Sequence, residues 1–218
     1  MTSDKTNRDL PLKWKTPARW AKQVLEQPLA LLNDHAHLEK KAATNALVLL
    51  NRWPAPAPPE NWVQAMTSIA RDEVEHLAIV TRLLARRGGR LTRTHGNPYA
   101  QGLRDLVRVG HGLADLMDRL MISALIEARS CERFMLLADV AEDRELAKLY
   151  GGLYASEAGH YRIFIELARS LPVATGVTQR WRELLAGPRH AHRCGLTRAK
   201  QSDSYLSLSV IPMPLRSE

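Results

Sequence analysis

The sequence predicts an all-α protein, a four-helix bundle with additional short helices, and three observations lead there. Four long stretches carry apolar residues at helical spacing and are bounded by proline or glycine. Strand signals are nearly absent, the one doubtful run being Ser204 to Val210. Near the middle of each long stretch stands a glutamate: alone in the first and third (Glu39, Glu127), followed three residues later by histidine in the second and fourth (Glu73 with His76, Glu157 with His160).

The elements follow in order. Asn33 to Arg52 shows a stripe of Leu38, Ala42, Ala46 and Leu49 and ends at Trp53-Pro54. The proline-rich link to Pro59 cannot continue a helix and serves as a stiff crossing. A second helix runs from Glu60 to Arg87, where Gly88-Gly89 supplies a glycine stop. Arg90 to Pro98 reads as a basic loop and Tyr99 to Arg108 as a short helix. Leu113 to Val140 and Arg144 to Ser170 are the third and fourth long helices. Gly151, Gly152 and Gly159 weaken the last one, and Gly159, beside a ligand candidate, would admit substrate or a neighbouring helix closely. Val177 to Ala186 reads as a final short helix. The expected organisation is one domain over 1–186 and a basic extension over 187–218, whose Arg, His, Ser and Pro content is that of a disordered segment.

The glutamates and histidines have a common chemical reading. Residues three apart on a helix share a face, so each Glu-x-x-His pair reaches one metal ion while its glutamate also bridges to a second. One glutamate from each of two helices and one Glu-x-x-His from each of the other two is the ligand set of a carboxylate-bridged di-iron bundle, the ferritin-like arrangement. Glu39 precedes Glu73 by 34 positions and Glu127 precedes Glu157 by 30, either of which fits a helix, a turn and an antiparallel return to the same level. Leu38-Glu39-Lys40-Lys41-Ala42-Ala43 aligns with Ile126-Glu127-Ala128-Arg129-Ser130-Cys131, so the halves look like a diverged repeat. Four carboxylates in an apolar core are costly unless two divalent ions cancel them, and the O/N donor set suits iron or manganese. The expected metal ligands are therefore Glu39, Glu73, His76, Glu127, Glu157 and His160. Glu132, about 140° around the helix, cannot share the inward face of Glu127, and the repeat alignment favours Glu127; Glu75, about 100° from His76, reads as a solvated or supporting neighbour of Glu73. Asp72 and Ser156 stand at matching positions before the two motifs, where each is either a support for a ligand or part of a solvated face. Cys131 reads as a small buried hydrophobe, and His190, His192 and Cys194 lack a fourth partner for a metal site.

Composition bounds the function. No apolar run approaches the ~20 residues needed to cross a bilayer, and the polar start is no secretory signal, so a cytoplasmic protein is expected. Two cysteines form no disulfide framework. With 31 Lys and Arg against 23 Asp and Glu the net charge is +8, which points to an anionic partner, nucleic acid above all. The basic residues cluster near the start (Lys13, Lys15, Arg19, Lys22), after the second long helix and at the end. Arg87, Arg90 and Arg93 are the first choice for phosphate contacts.

Five segments carry a more specific likeness: Asp34 to Ala43, Arg71 to His76, Asn97-Pro98-Tyr99-Ala100, Glu127-Ala128-Arg129-Ser130-Cys131-Glu132-Arg133-Phe134, and Ser156 to Tyr161. In these the chain resembles the MiaE-type tRNA hydroxylases, ferritin-like non-haem di-iron enzymes acting on 2-methylthio-N6-isopentenyladenosine next to the anticodon. The resemblance covers roughly Leu29 to Leu171, and the string from Glu127 to Phe134 is its most specific element. It implies the same six residues as iron ligands and an O2-dependent monooxygenase hydroxylating the isopentenyl chain. Two iron ions, O2 as co-substrate and an external electron donor are the implied cofactors; tRNA and an electron-transfer protein are the implied partners of an expected monomer. Rival readings are a ferritin-like iron-handling protein, which would use the same ligands, and another di-metal oxidase or catalase.

Overall fold

A computed structural model describes residues 10–54, 56–172 and 176–186; the basic extension, with His190, His192, Cys194 and the Ser204 to Val210 run, lies outside the described residues. Among the described residues there are seven helices: α1 (Ala18–Leu25), α2 (Pro28–Leu50), α3 (Glu60–Arg86), α4 (Pro98–Arg104), α5 (Leu113–Val140), α6 (Arg144–Ser170) and α7 (Val177–Ala186). No strand occurs among the described residues. None of these helices is long and apolar enough to cross a membrane.

The four long helices form two antiparallel hairpins, α2 with α3 and α5 with α6, packed into the ferritin-like bundle. Their apolar faces make two core clusters. One gathers Leu49, Trp62, Met66, Ile69, Leu120, Leu125 and Phe164; the other gathers Trp20, Leu31, Val80, Leu84, Phe134 and Tyr150. Along each long helix the ligand candidates fall between a residue of one cluster and a residue of the other. A polar layer therefore divides the core.

Helix ends follow from local chemistry. At the end of α3, Gly88 takes φ +80°, its N–H donates to Ala85 O and that of Gly89 to Leu84 O, which satisfies the last carbonyls of the helix. A side chain at Gly89 would strike Leu84. Asp143 caps α6, accepting from the N–H groups of Glu145 and Leu146 at 2.9 and 3.2 Å. Between α4 and α5, the fully buried Asp118 accepts from the Arg108 backbone and side chain and from Arg180 of α7. That carboxylate ties the connection and the last helix to the bundle.

Three elements depart from the sequence reading. α1 is absent from it, because Trp20, Ala21 and Val24 are too few for a recognisable stripe. α2 starts five residues before Asn33, with Pro28 at the first helical position, where its fixed φ is favourable. α4 ends at Arg104 rather than Arg108, since Asp118 draws the Arg108 N–H out of any helix. α6 runs unbroken through its glycines, and a Cβ at Gly159 would meet nothing within 4 Å. No neighbouring helix approaches Gly159 closely: the position faces open space.

Candidate metal centre

The four glutamates and two histidines expected from the sequence are all buried at one level of the bundle. They fall into two groups whose donor atoms lie within 4.8 Å of one another: Glu39, Glu73, His76 and Glu157 in the first, Glu73, Glu127, Glu157 and His160 in the second. Glu73 and Glu157 belong to both, the disposition a pair of bridging carboxylates requires. His76 Nδ1 lies 3.2 Å from Glu157, 3.7 Å from Glu73 and 3.8 Å from Glu39; His160 Nδ1 lies 2.9 Å from Glu73.

Both carboxylate oxygens of Glu73, one of Glu157 and the Nδ1 atoms of both histidines are buried without a hydrogen bond of acceptable geometry. Buried polar atoms are normally paired. Here the lone pairs converge on shared points instead, which fits a pair of metal ions and suits no apolar core. The electrostatics agree. Burial pushes the Glu127 carboxyl well up, and the neighbouring Glu157 charge adds to it; burial and the Glu39 charge raise Glu73. Burial also opposes the Glu39 anion, but the His35 charge, the neighbouring Glu73, the hydrogen bond from His35 and the nearby His76 prevail and hold it down to about 2. His76 loses by burial, yet Glu157, Glu39 and Glu73 push it up to about 12. Without metal, protons must do what two cations would do.

Supporting contacts flank the ligands. His35, one turn before Glu39 and fully buried, donates from Nε2 to Glu39 Oε1 and packs between Phe134 and Tyr150. Asp72 accepts from His160 Nε2 at 3.4 Å, leaving Nδ1 to face the carboxylates. Ser156, its counterpart, is only half-buried. Glu132 is buried away from the centre, bonded to Arg129 and, at 3.0 and 2.7 Å, to Thr16. Glu75 is exposed. Burial and the Glu157 charge push the Cys131 thiol up to about 12, and its Sγ stands outside both donor groups, 3.9 Å from the Tyr154 carbonyl.

A cavity of about 140 Å³ runs between α2 and α5 under α4 and reaches Glu39, Glu73, Glu127 and Glu157. Leu38, Ala42, Ile122, Ile126 and Phe134 give it apolar walls. His35 shares a helix face with Glu39 at the i, i+4 spacing, a signal that the sequence offers but that the Glu-x-x-His pattern overshadows. The cavity has no such signal, because α4 is brought over it by a connection of low regularity. Of the arginines expected to meet phosphate, Arg90 and Arg93 are exposed, whereas Arg87 bonds Asp143 at 2.6 and 3.1 Å and Glu145 at 2.8 Å.

Known proteins share this architecture. The family model described as tRNA-(MS[2]IO[6]A)-hydroxylase (MiaE) matches residues 5–188. A tRNA 2-(methylsulfanyl)-N(6)-isopentenyladenosine(37) hydroxylase of Pseudomonas putida is 41% identical over 155 residues, 71% of this chain and 73% of that protein. The protein of the same description from Salmonella typhimurium is 29% identical over 174 residues, 78% of this chain and 59% of its own length. A solved structure of a protein with aldehyde deformylating oxygenase activity from Synechococcus superposes with a TM-score of 0.81 at 29% identity, covering 94% of this chain and 98% of that one.

Proposed function

The chain belongs to the MiaE family of tRNA hydroxylases, and on that premise we propose that it hydroxylates the isopentenyl group of 2-methylthio-N6-isopentenyladenosine next to the anticodon of tRNA. The observation that carries this reading is an apolar cavity opening directly onto two donor groups that share Glu73 and Glu157. Iron storage has no use for an apolar pocket at the ligands; a prenyl substituent does.

The residues have separable tasks. Glu39, Glu73, His76 and Glu157 would hold one metal ion, and Glu73, Glu127, Glu157 and His160 would hold the other. Two iron ions held there would supply O2 activation, with two electrons from an external donor protein and two protons balancing one oxygen atom in the substrate against one in water. His35 fixes the Glu39 carboxylate, and Asp72 fixes the His160 ring so that Nδ1 faces inward. Leu38, Ala42, Ile122, Ile126 and Phe134 exclude water and hold the isopentenyl chain against the ligands. Exposed Arg90 and Arg93 attract the RNA by long-range charge. An RNA substrate makes this a cytoplasmic enzyme.

Reduced, iron-loaded protein given tRNA bearing the prenylated base under ¹⁸O2 is expected to yield a hydroxylated nucleoside carrying the label. An unmodified nucleoside, with iron demonstrably reduced and consumed by O2, would move the assignment to an oxidase or iron-handling protein.

A further inference from the structure

The cavity changes character along its length. Its inner end is acidic and its walls are apolar, but its mouth is cationic: Lys41 from α2, Arg104 from α4 and Arg119 from α5 all line it. Arg119 is paired with Asp115 on its own helix. Arg104 is exposed and, among the described residues, has no acidic partner; its Nε donates only to the Ala100 carbonyl of its own helix, at 3.2 Å. Lys41 and Arg104 thus line one cavity, and Arg104 has no carboxylate of its own, so an anion lying between the two cations would be favoured.

Lys41 is also held in place from the connection between α3 and α4. Its Nζ donates to His95 Nδ1 at 2.8 Å and to the His95 carbonyl at 3.2 Å. His95 Nε2 in turn donates to the buried Asp34, and the ring stacks flat on His37, with centroids 4.9 Å apart and planes 6° from parallel. A lysine side chain has many rotamers to lose. Fixing one before the ligand arrives lowers the cost of binding.

Resting on the reading of the cavity as the site of an RNA hydroxylase, we propose that Lys41 and Arg104 form a phosphate clamp for the backbone flanking the nucleotide whose base enters the cavity, with Asp34 and His95 as positioning residues for Lys41. The apolar substituent goes inward to the ligands and the backbone anions stay at the rim. Affinity for the strand and placement of the reacting group then come from the two ends of one cavity.

The test is direct binding of a fluorescent anticodon stem-loop RNA carrying the modified base to the metal-loaded full chain, measured by anisotropy from 50 to 300 mM NaCl (about the range in which counterion release dominates). Lys41→Gln and Arg104→Gln are each expected to weaken binding about ten-fold and to reduce the log-log salt slope by about 0.7 to 0.9, while Lys41→Arg restores the slope. His95→Ala is expected to weaken binding less than Lys41→Gln and to add nothing in the double variant. Unchanged affinity and slope in both glutamine variants, or no RNA binding by the wild type, would overturn the clamp. Full additivity of His95→Ala with Lys41→Gln would overturn the positioning role. Turnover by the wild type is scored separately: a clamp that binds RNA without hydroxylation refutes the proposed reaction and not the clamp, and hydroxylation with unaltered variants does the reverse.

Discussion

Replacing Arg87 by Ala separates a structural arginine from an RNA-binding one. Arg87 closes the end of α3 onto the start of α6, with two bonds to Asp143 and one to Glu145. Its hydrogen bonds hold the Asp143 carboxyl down from 3.8 to about 2. That interval corresponds to at most about 2.4 kcal/mol. With the Asp143 side chain 42% exposed, screening reduces the pair to about 1 kcal/mol. The contact to the more exposed Glu145 adds nothing to that figure. In a chain of this size about 1 kcal/mol moves Tm by roughly 2–4 °C, which thermal unfolding followed by circular dichroism resolves. The sign with pH follows from a depressed carboxylate: the stabilisation is complete above the unfolded value of 3.8 and is lost as pH falls through about 2. The difference between wild type and Arg87→Ala should therefore be present at pH 7, shrink in 1 M NaCl, and vanish toward pH 2. Affinity for RNA should be unchanged. An unaltered Tm together with weaker RNA binding would refute the reasoning and return Arg87 to the phosphate contacts.

Other outcomes follow from the centre. Glu73→Ala or Glu157→Ala should lose both metal ions, because each carboxylate serves both donor groups, whereas Glu39→Ala or Glu127→Ala should retain about one ion by elemental analysis; equal loss in all four would argue against bridging. Asp72→Ala removes the partner of His160 Nε2 and should lower metal affinity or turnover about 10- to 100-fold, with little change in Tm. Asp118→Ala leaves Arg108 and Arg180 without their shared acceptor and should destabilise the chain by about 3 kcal/mol while leaving metal content intact; a chemical denaturation midpoint matching wild type would contradict it.

The long helices and the ligand candidates were legible because both obey a period. Helical spacing marks four long amphipathic segments, and a three-residue spacing marks the two Glu-x-x-His pairs whatever surrounds them. The angle lets only one of Glu127 and Glu132 face inward and the repeat alignment picks Glu127; in the structure Glu127 lies with Glu73, Glu157 and His160, and Glu132 with Arg129 and Thr16. What escaped has no period. α1 depends on Trp20 and Val24 finding Leu31 and Tyr150 in the same cluster, a tertiary fact. Lys41 and His95 lie 54 positions apart and meet only because the chain after α3 returns along α2. The commitment of Arg87 is likewise invisible: in the sequence it is one more basic residue in a run, and its acidic partners stand beyond α5.

The shared glutamates also bear on how the fold is held together. Neither hairpin contains a complete set of donors: the first group takes Glu157 from the second hairpin, and the second group takes Glu73 from the first. An ion held by either group would thus be a cross-link between two halves of the chain, closing a loop of more than 80 residues between Glu73 and Glu157. Like a disulfide, such a link would restrain the unfolded chain as well as the folded one wherever it persists; unlike a disulfide, it would be made and broken by metal supply. Starvation for the metal would therefore loosen the seam between the hairpins before it unwound either of them, and proteolytic susceptibility would report metal status.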